Sequence, residues 1–341
     1  MGVVVMKHIV RNGIKLSAMT LGTAQIGRPY GVANTSGWPS LEKSVDMLSF
    51  ALHKGVTSLD TARGYGEAEE RIGAFLGGSS FQGEPPYITT KLNVGLGKPR
   101  PGGVILSDRE LNELHKDSFA HRDQLEKIVF EAVEASLLKL RLSKVNCVLL
   151  HDPIEMMVCG ASLAKVMGNL ITAGYTDEVG VSLYHPAEVD AMLGYEEYTA
   201  TQLPMSLFDQ RMLHSGALHR LNAKNYAVFV RSVFLQGVFF LDPDDLEDPL
   251  LRQYAGPHIR TLQQLAQDEG MSVAQLAVSF ARDAEGVSSL VLGCDTKEQV
   301  LENISLMEGP SMSKKAAEAA RYAFKEVHYE EIMTVLRRPK A

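Results

Sequence analysis

The chain has 341 residues, of which 45% are apolar and 22% charged, a balance typical of a globular enzyme. Its net charge of −7 at pH 7 argues against nucleic acid and against an acidic membrane surface as partners. The three cysteines (Cys147, Cys159 and Cys294) include no CxxC pair, so neither a disulfide framework nor a metal site is predicted. No signal peptide and no run of ~18 apolar residues is visible, which favours the cytoplasm.

A β-hairpin is predicted at about residues 7–18, because Asn12-Gly13 lies between alternating apolar residues and is a strong type I′ turn signal. Eight short apolar runs rich in β-branched residues follow, and each is predicted to be a strand. The eight are Met19–Thr23, Thr57–Asp60, Tyr87–Lys91, Val145–His151, Glu178–Ser182, Thr199–Leu203, Tyr226–Ser232 and Ser288–Gly293.

Amphipathic helical segments lie between these strands, for example Leu41–Gly55 and Arg122–Leu140. Apolar strands that alternate with helices indicate a parallel sheet buried on both faces. Eight such units favour a closed (β/α)8 TIM barrel whose bottom the N-terminal hairpin plugs, with an open doubly wound sheet as the alternative. We expect one domain over residues 1–341, with an inserted loop at about 93–121 and a C-terminal tail at about 325–341.

Ionisable side chains end three successive predicted strands, namely Asp60, Lys91 and His151, and Tyr65 follows Asp60 by one loop. Taken singly, each has a structural explanation: a helix cap, a loop aromatic or a turn histidine. In a parallel barrel, however, the carboxyl ends of the strands meet at one rim, which is where such barrels carry their chemistry. Their joint placement therefore predicts a catalytic group made of these four residues.

Five segments carry a resemblance to a known family: "GTAQIGRPYG", "SLDTARGYGEAEERIG", "ITTKL", "VLLHDP" and "TATQLPMSLFDQR". In this order and spacing they resemble the aldo-keto reductases, and the similarity runs from about Met19 to Ile304. The resemblance implies that Tyr65 gives a proton to a carbonyl oxygen as hydride arrives from a nicotinamide. It also implies that Asp60 orients Lys91 and that His151 hydrogen-bonds the same oxygen. A lysine ammonium ~4 Å away, worth about 4 kcal/mol at an effective dielectric of ~20, predicts a lowered Tyr65 pKa.

No GxGxxG or Walker pattern is present, so a Rossmann or P-loop nucleotide site is not predicted. The resemblance implies instead that NAD or NADP binds in an extended form across the mouth of the barrel. Ser182 and Gln202 would bond the nicotinamide carboxamide, and the family's usual Asn after the serine is Leu183 here. In "RSVFLQG", Arg231 replaces the aromatic residue that stacks beneath the nicotinamide in the family. The resemblance also implies cofactor contacts from Gly22, Thr23, Ala24 and Asp60, and contacts with the pyrophosphate from Ser232, Leu235 and Gly237.

At the adenosine end, Gly293 would open a loop, and Gln299, Glu302 and Asn303 would lie near adenine. Members that use NADP commonly place Ser or Thr, then Arg or Lys, where this chain has Asp295 and Thr296. An acidic side chain suits a free ribose 2′-hydroxyl, so the sequence favours NAD. Lys297 could still reach a 2′-phosphate, and Asp295 could instead be the N-cap of the following helix.

The substrate pocket is predicted to be lined by Tyr30, by the insertion around residues 115–121 and by the C-terminal tail. Only 7% of the residues are aromatic, which favours small or polar carbonyl and sugar substrates. Two other functions stay open: a cofactor-binding regulatory barrel similar to potassium-channel β subunits, and a non-redox barrel with a Schiff base on Lys91. The sequence makes no prediction about the oligomeric state.

Overall fold

The computed structural model describes residues 6–29, 37–78, 81, 83–95 and 124–338. Eight parallel strands, β3 to β10, form a closed barrel in which β10 pairs with both β9 and β3. The closed barrel confirms the predicted TIM fold and excludes the open sheet. The strands are β3 (Met19–Gly22), β4 (Ser58–Asp60), β5 (Tyr87–Leu92), β6 (Val145–Leu150), β7 (Thr176–Ser182), β8 (Tyr198–Pro204), β9 (Ala227–Arg231) and β10 (Ser289–Gly293).

The predicted hairpin is formed by β1 (His8–Arg11) and β2 (Ile14–Ser17), which pair antiparallel. Its turn residues both have positive φ, 49° at Asn12 and 79° at Gly13, as a type I′ turn requires. The hairpin lies at the amino-terminal end of the barrel strands, where Arg11 Nε donates to Glu178 Oε1 at 2.6 Å. Arg11 also donates to the Thr199 carbonyl oxygen at 3.0 Å, so the hairpin is tied to β7 and β8, and Tyr87 Oη of β5 donates to the other oxygen of the Glu178 carboxylate at 2.8 Å.

Helices surround the barrel and bury apolar faces against the strands and against one another. The second helix shows the pattern: Met47, Leu48 and Ala51 are buried, and the Ser40 side chain caps it by accepting from Lys43 N. The described helices are α1 (Ala24–Gly27), α2 (Leu41–His53), α3 (Ala68–Leu76), α4 (Leu125–Leu140), α5 (Pro153–Thr172), α6 (Pro186–Met192), α7 (Arg211–His214), α8 (Ala217–Ala223), α9 (Pro249–Tyr254), α10 (Gly256–Glu269), α11 (Val273–Arg282), α12 (Lys297–Glu308), α13 (Lys314–Ala323) and α14 (Tyr329–Leu336), with a 3₁₀ segment at Leu235–Phe240.

Helix α5 is long and apolar enough, by length and composition, to cross a membrane. It is nevertheless a helix of the barrel ring, because its buried residues include Leu163, Met167 and Leu170, which belong to the same hydrophobic core as the strands. Gly160 interrupts it with non-helical angles, φ 53° and ψ −138°. Its apolar composition is therefore explained by burial in the barrel wall.

Candidate active site

A cleft of about 380 Å³ opens at the carboxyl ends of β3, β4, β8, β9 and β10. This volume lies within the range of small-molecule sites. The cleft is lined by residues from strand ends, by the segment after β9 and by one face of α12. The lining residues are Gly22, Thr23, Ala24, Gln25, Asp60, Tyr65, Gln202, Arg231, Ser232, Val233, Phe234, Gln236, Gly237, Phe240, Ala274, Val291, Leu292, Gly293, Asp295, Gln299, Glu302, Asn303 and Leu306.

Asp60, Tyr65 and Lys91 meet at one end of this cleft. The Lys91 ammonium lies 2.7 Å from both carboxylate oxygens of Asp60, 3.0 Å from the Thr61 carbonyl oxygen and 3.3 Å from the Tyr65 hydroxyl. The side chains of Lys91 and Asp60 are only 1% and 3% exposed. Three of the four residues predicted to be catalytic are therefore joined by hydrogen bonds.

The loop between β4 and α3 places Tyr65 at this point through close packing on α1. Gly66 has φ 59°, and a Cβ atom there would lie 2.3 Å from the Gly27 carbonyl oxygen. A Cβ atom on Gly27 would in turn lie 1.8 Å from the Tyr65 carbonyl oxygen. Both positions therefore require glycine, and their contact fixes the backbone that carries the tyrosine.

The protonation of Tyr65 is set by its enclosure. Burial raises the pKa of Tyr65 well above its usual value and the Asp60 carboxylate raises it further, against smaller lowering effects of the Arg231 and Arg28 guanidinium groups. The expectation of a lowered Tyr65 pKa is thus wrong for the protein on its own, because burial and the Asp60 carboxylate both raise this pKa. Burial lowers the pKa of Lys91, and the Asp60 carboxylate opposes this shift.

His151 follows β6 and lies beside Tyr65, with the two rings edge to face and their centroids 5.7 Å apart. Burial, followed by the charges of Lys91, Arg231 and Arg28, lowers the pKa of His151 to about 3. The imidazole is therefore neutral at physiological pH. Its Nδ1 atom is buried and has no hydrogen-bond partner in the described part of the chain.

Gln202 and Ser182, both predicted to contact the nicotinamide, differ in their surroundings. Gln202 lines the cleft and its Nε2 donates to Asp60 Oδ1 at 2.7 Å, so the amide is linked to the Lys91 pair. Ser182 ends β7, is buried, and is not among the lining residues. Arg231 ends β9, where its guanidinium donates to the Leu183 carbonyl oxygen at 3.2 Å and lies 4.5 Å from the Tyr184 ring centroid.

The segment after β9 wraps along the middle of the cleft with an unusual backbone. Ser232, Leu235, Gln236 and Gly237 all have positive φ, between 47° and 97°. Leu235 is fully buried in the core, whereas Gln236 and its neighbours Phe234 and Phe240 line the cleft. No periodicity in "RSVFLQG" indicates this alternation, so the sequence did not identify Phe234, Gln236 or Phe240.

The far end of the cleft is formed by β10 and α12. Thr296 is the N-cap of α12, since its hydroxyl accepts from Gln299 N at 3.3 Å, so the alternative in which Asp295 caps this helix is wrong. Gln299 Oε1 instead accepts from the Asp295 backbone N–H at 2.7 Å. Lys297 points to α2, where it pairs with Asp46 and lies 5.5 Å from the Phe50 ring centroid.

The predicted substrate contacts are only partly described. Tyr30 and the insertion around residues 115–121 lie outside the described residues. The C-terminal tail forms α14, whose Tyr329 is buried beneath the Arg211 guanidinium, 4.3 Å from the ring centroid. Arg211 also bonds Glu330 at 2.8 Å and Asp209 at 2.7 Å, so the tail is attached beside the carboxyl ends of the strands. Of the described lining residues, none belongs to α14.

A nicotinamide dinucleotide fits the chemistry of this cleft. The middle offers a guanidinium and a hydroxyl, from Arg231 and Ser232, which suit a pyrophosphate or a carboxamide. At the far end, the Asp295 Oδ1 atom is buried and accepts no hydrogen bond from any described residue. Buried acceptors are normally hydrogen-bonded, so this atom suits a hydroxyl of a bound ligand. At the near end, Tyr65 and a neutral His151 supply donors for a substrate oxygen.

Proteins similar to this chain are aldo-keto reductases. The sequence model of the Aldo/keto reductase family matches residues 18–321. The chain is 24% identical over 324 residues to aldo-keto reductase YhdN of Bacillus subtilis, which covers 90% of this chain and 89% of the relative. It is 23% identical over 339 residues to L-glyceraldehyde 3-phosphate reductase of Escherichia coli, with 91% and 89% covered.

Two solved structures show the same fold. Glycerol dehydrogenase AKR11B4 of Gluconobacter oxydans has a TM-score of 0.67 at 21% identity, with 96% of this chain and 97% of that chain covered. Aldo-keto reductase AKR11C1 of Bacillus halodurans has a TM-score of 0.68 at 17% identity, with 93% and 96% covered. The matches do not favour the regulatory barrel. The chain belongs to the aldo-keto reductase family and is an NAD(P)-dependent oxidoreductase of carbonyl or sugar substrates.

Proposed function

We propose that the protein moves hydride between NADH and a small polar aldehyde, ketone or sugar, with Tyr65 as proton donor. The observation that carries this proposal is the position of the Lys91 ammonium, which lies 3.3 Å from the Tyr65 hydroxyl and 2.7 Å from both carboxylate oxygens of Asp60. Two of the similar proteins are named for L-glyceraldehyde 3-phosphate and for glycerol, both small and polar. We also propose that the chain forms a single domain and that it acts in the cytoplasm.

The nicotinamide, when bound, supplies the hydride, and the residues of this chain handle the proton and the orientation. Tyr65 holds its proton at neutral pH because burial raises its pKa, so its O–H donates to the carbonyl oxygen as negative charge develops there. Neutral His151 donates a second hydrogen bond and orients that oxygen. The Lys91 ammonium lies next to the phenolate that forms, and Asp60 keeps the lysine charged and in place.

A single substitution tests the role of Tyr65. Tyr65→Phe removes the hydroxyl and keeps the ring that packs beside His151. We expect kcat for a reactive aldehyde such as 4-nitrobenzaldehyde to fall by about 10²- to 10⁴-fold, the range for loss of a general acid. NADH binding, followed by quenching of its fluorescence, should be retained. Turnover within tenfold of wild type would contradict the assignment of Tyr65.

The cleft also favours NAD over NADP. Two features support this choice: Asp295 Oδ1 is a buried acceptor at the far end, and Lys297 is engaged with Asp46 on α2. A carboxylate suits a ribose 2′-hydroxyl and repels a 2′-phosphate. Gln299 and Glu302 complete this end without adding a positive charge. Gln299, Glu302 and Asn303 are proposed to lie along the adenosine.

A further inference from the structure

Gln25 lines the cleft from the short helix α1, which directly follows β3. Its neighbour Ile26 is fully buried in the core, whereas Gln25 is only partly buried. Thr23 anchors the start of this helix, because its backbone N–H and its hydroxyl both donate to the Asp60 carbonyl oxygen, at 2.9 and 2.8 Å. The backbone that carries Gln25 is therefore attached to the end of β4.

The end of the Gln25 side chain lies against Gly293, the last residue of β10. A Cβ atom on Gly293 would lie 2.1 Å from Gln25 Nε2 and 2.3 Å from its Oε1, closer than non-bonded atoms approach. The backbone itself does not require glycine here, since the φ of Gly293 is not positive. Glycine at this position therefore makes room for the amide of Gln25.

This amide is not used by the protein. No described residue forms a hydrogen bond with the Gln25 side chain. Two other glutamines of the cleft differ in this respect: Gln202 donates to Asp60, and Gln299 accepts from the Asp295 backbone N–H. An amide that faces a cleft with both of its N–H donors unused is suited to the oxygen atoms of a ligand.

The strand order places Gln25 at the middle of the cleft. β10, which ends at Gly293, lies between β9 and β3 in the barrel. Ser232 follows β9 on one side of Gly293, and Gln25 follows β3 on the other. The midpoint of a dinucleotide that extends from Tyr65 to Asp295 is its pyrophosphate. Gln25 and Ser232 are thus arranged to flank that group.

We propose that Gln25 is a cofactor-binding residue whose Nε2 donates to the pyrophosphate, and that glycine at position 293 is needed to hold the amide in place. This inference rests on the proposed function, because it requires a dinucleotide in the cleft. Phosphate oxygens only accept hydrogen bonds, so Gln25 presents its NH₂ group to them. The phosphate charge strengthens this bond, although glutamine itself is neutral.

Two substitutions at Gln25 measure the contact without turnover. Gln25→Leu removes the amide at similar volume, and we expect the Kd of NADH by fluorescence quenching, and of ADP-ribose by calorimetry, to rise about tenfold. Gln25→Glu keeps the shape, but its carboxylate repels the pyrophosphate, so the Kd should rise further than in Gln25→Leu. The difference between the two variants should shrink in about 0.5 M salt. Gln263→Leu, at an exposed position of α10, is the control.

Gly293→Ala tests the link between the two residues. The three atoms nearest to the added methyl group all belong to the mobile end of the Gln25 side chain, so the urea midpoint should stay near that of wild type. The Kd of NADH should nevertheless rise, because the amide is displaced. In a Gln25→Ala background the space is free, and the same substitution at Gly293 should change the Kd by less than about twofold.

Three outcomes overturn the inference. A Kd within twofold of wild type in Gln25→Leu would mean that the amide is only solvated. Unchanged or tighter binding in Gln25→Glu would mean that residue 25 faces a ribose hydroxyl, which a carboxylate also accepts. An equal rise on Gly293→Ala in both backgrounds would mean that the methyl group meets the cofactor directly. Wild type that binds neither NADH nor NADPH would contradict the proposed function as well, whereas these three outcomes in a wild type that binds leave the proposed function standing.

Discussion

Substitutions at Lys91 and Asp60 separate the effect of this buried ion pair on the free energy of unfolding from its effect on kcat. In Lys91→Met, the Asp60 carboxylate keeps the Gln202 amide at 2.7 Å and loses its cationic partner at 2.7 Å. Breaking a buried ion pair from one side costs about 3–5 kcal/mol, because an uncompensated charge is left in the interior. We therefore expect the free energy of unfolding, measured by urea denaturation, to fall by about that amount.

The double variant Asp60→Asn/Lys91→Met removes both charges and should recover most of the lost stability, since a neutral pair avoids the desolvation cost. Both variants should lose kcat by at least about 10²-fold, because neither has an ammonium beside Tyr65. Lys139→Met is a matched control: its pair with Glu70 at 2.8 Å is 37% and 47% exposed, and its loss should cost under about 1 kcal/mol. Equal urea midpoints for the single and double variants, or near-normal kcat in either, would refute the reasoning.

Three further predictions concern other parts of the chain. Asp295→Ser should raise the affinity for NADPH relative to NADH in fluorescence titrations, and an unchanged ratio would remove Asp295 from cofactor choice. Because the pKa of His151 is lowered to about 3, the unfolded chain binds more protons than the folded one between about pH 6.5 and 3. His151→Gln should thus lose less unfolding free energy than wild type on acidification across that window; identical slopes would contradict this. Arg11→Met leaves the buried Glu178 carboxylate with Tyr87 as its one side-chain hydrogen-bond partner among the described residues, so we expect the free energy of unfolding to fall by about 3 kcal/mol. An unchanged urea midpoint would show that apolar packing holds the hairpin.

The barrel could be predicted because its strands are short apolar runs with few competing interpretations. Each predicted strand lies within two residues of the observed one, as for Thr199–Leu203 against Tyr198–Pro204. The hairpin followed from a single dipeptide whose φ values few other residues adopt. In both cases the information is local, in the periodicity of burial or in the backbone of one turn.

The cleft was less predictable because its lining depends on backbone direction. Leu235 and Gln236 both have positive φ, yet the first side chain lies in the core and the second lines the cleft, which the order of residues alone does not reveal. Gln25, which also lines the cleft, was missed for a related reason. It belongs to the four-residue helix α1, which is too short to show a periodic face.

The pKa of Tyr65 shows where sequence reasoning about charge reaches its limit. A lysine close to a phenol predicts a lowered pKa only if the lysine charge acts alone. Here both Asp60 oxygens lie 2.7 Å from that ammonium, so the tyrosine is next to a nearly neutral pair and burial decides the sign. A phenol that keeps its proton until an oxygen anion develops beside it is suited to the reduction of a carbonyl. In the proposed mechanism, therefore, the Asp60–Lys91 pair positions Tyr65 through the 3.3 Å contact of the ammonium with the hydroxyl, and the enclosure of the site holds the proton before transfer.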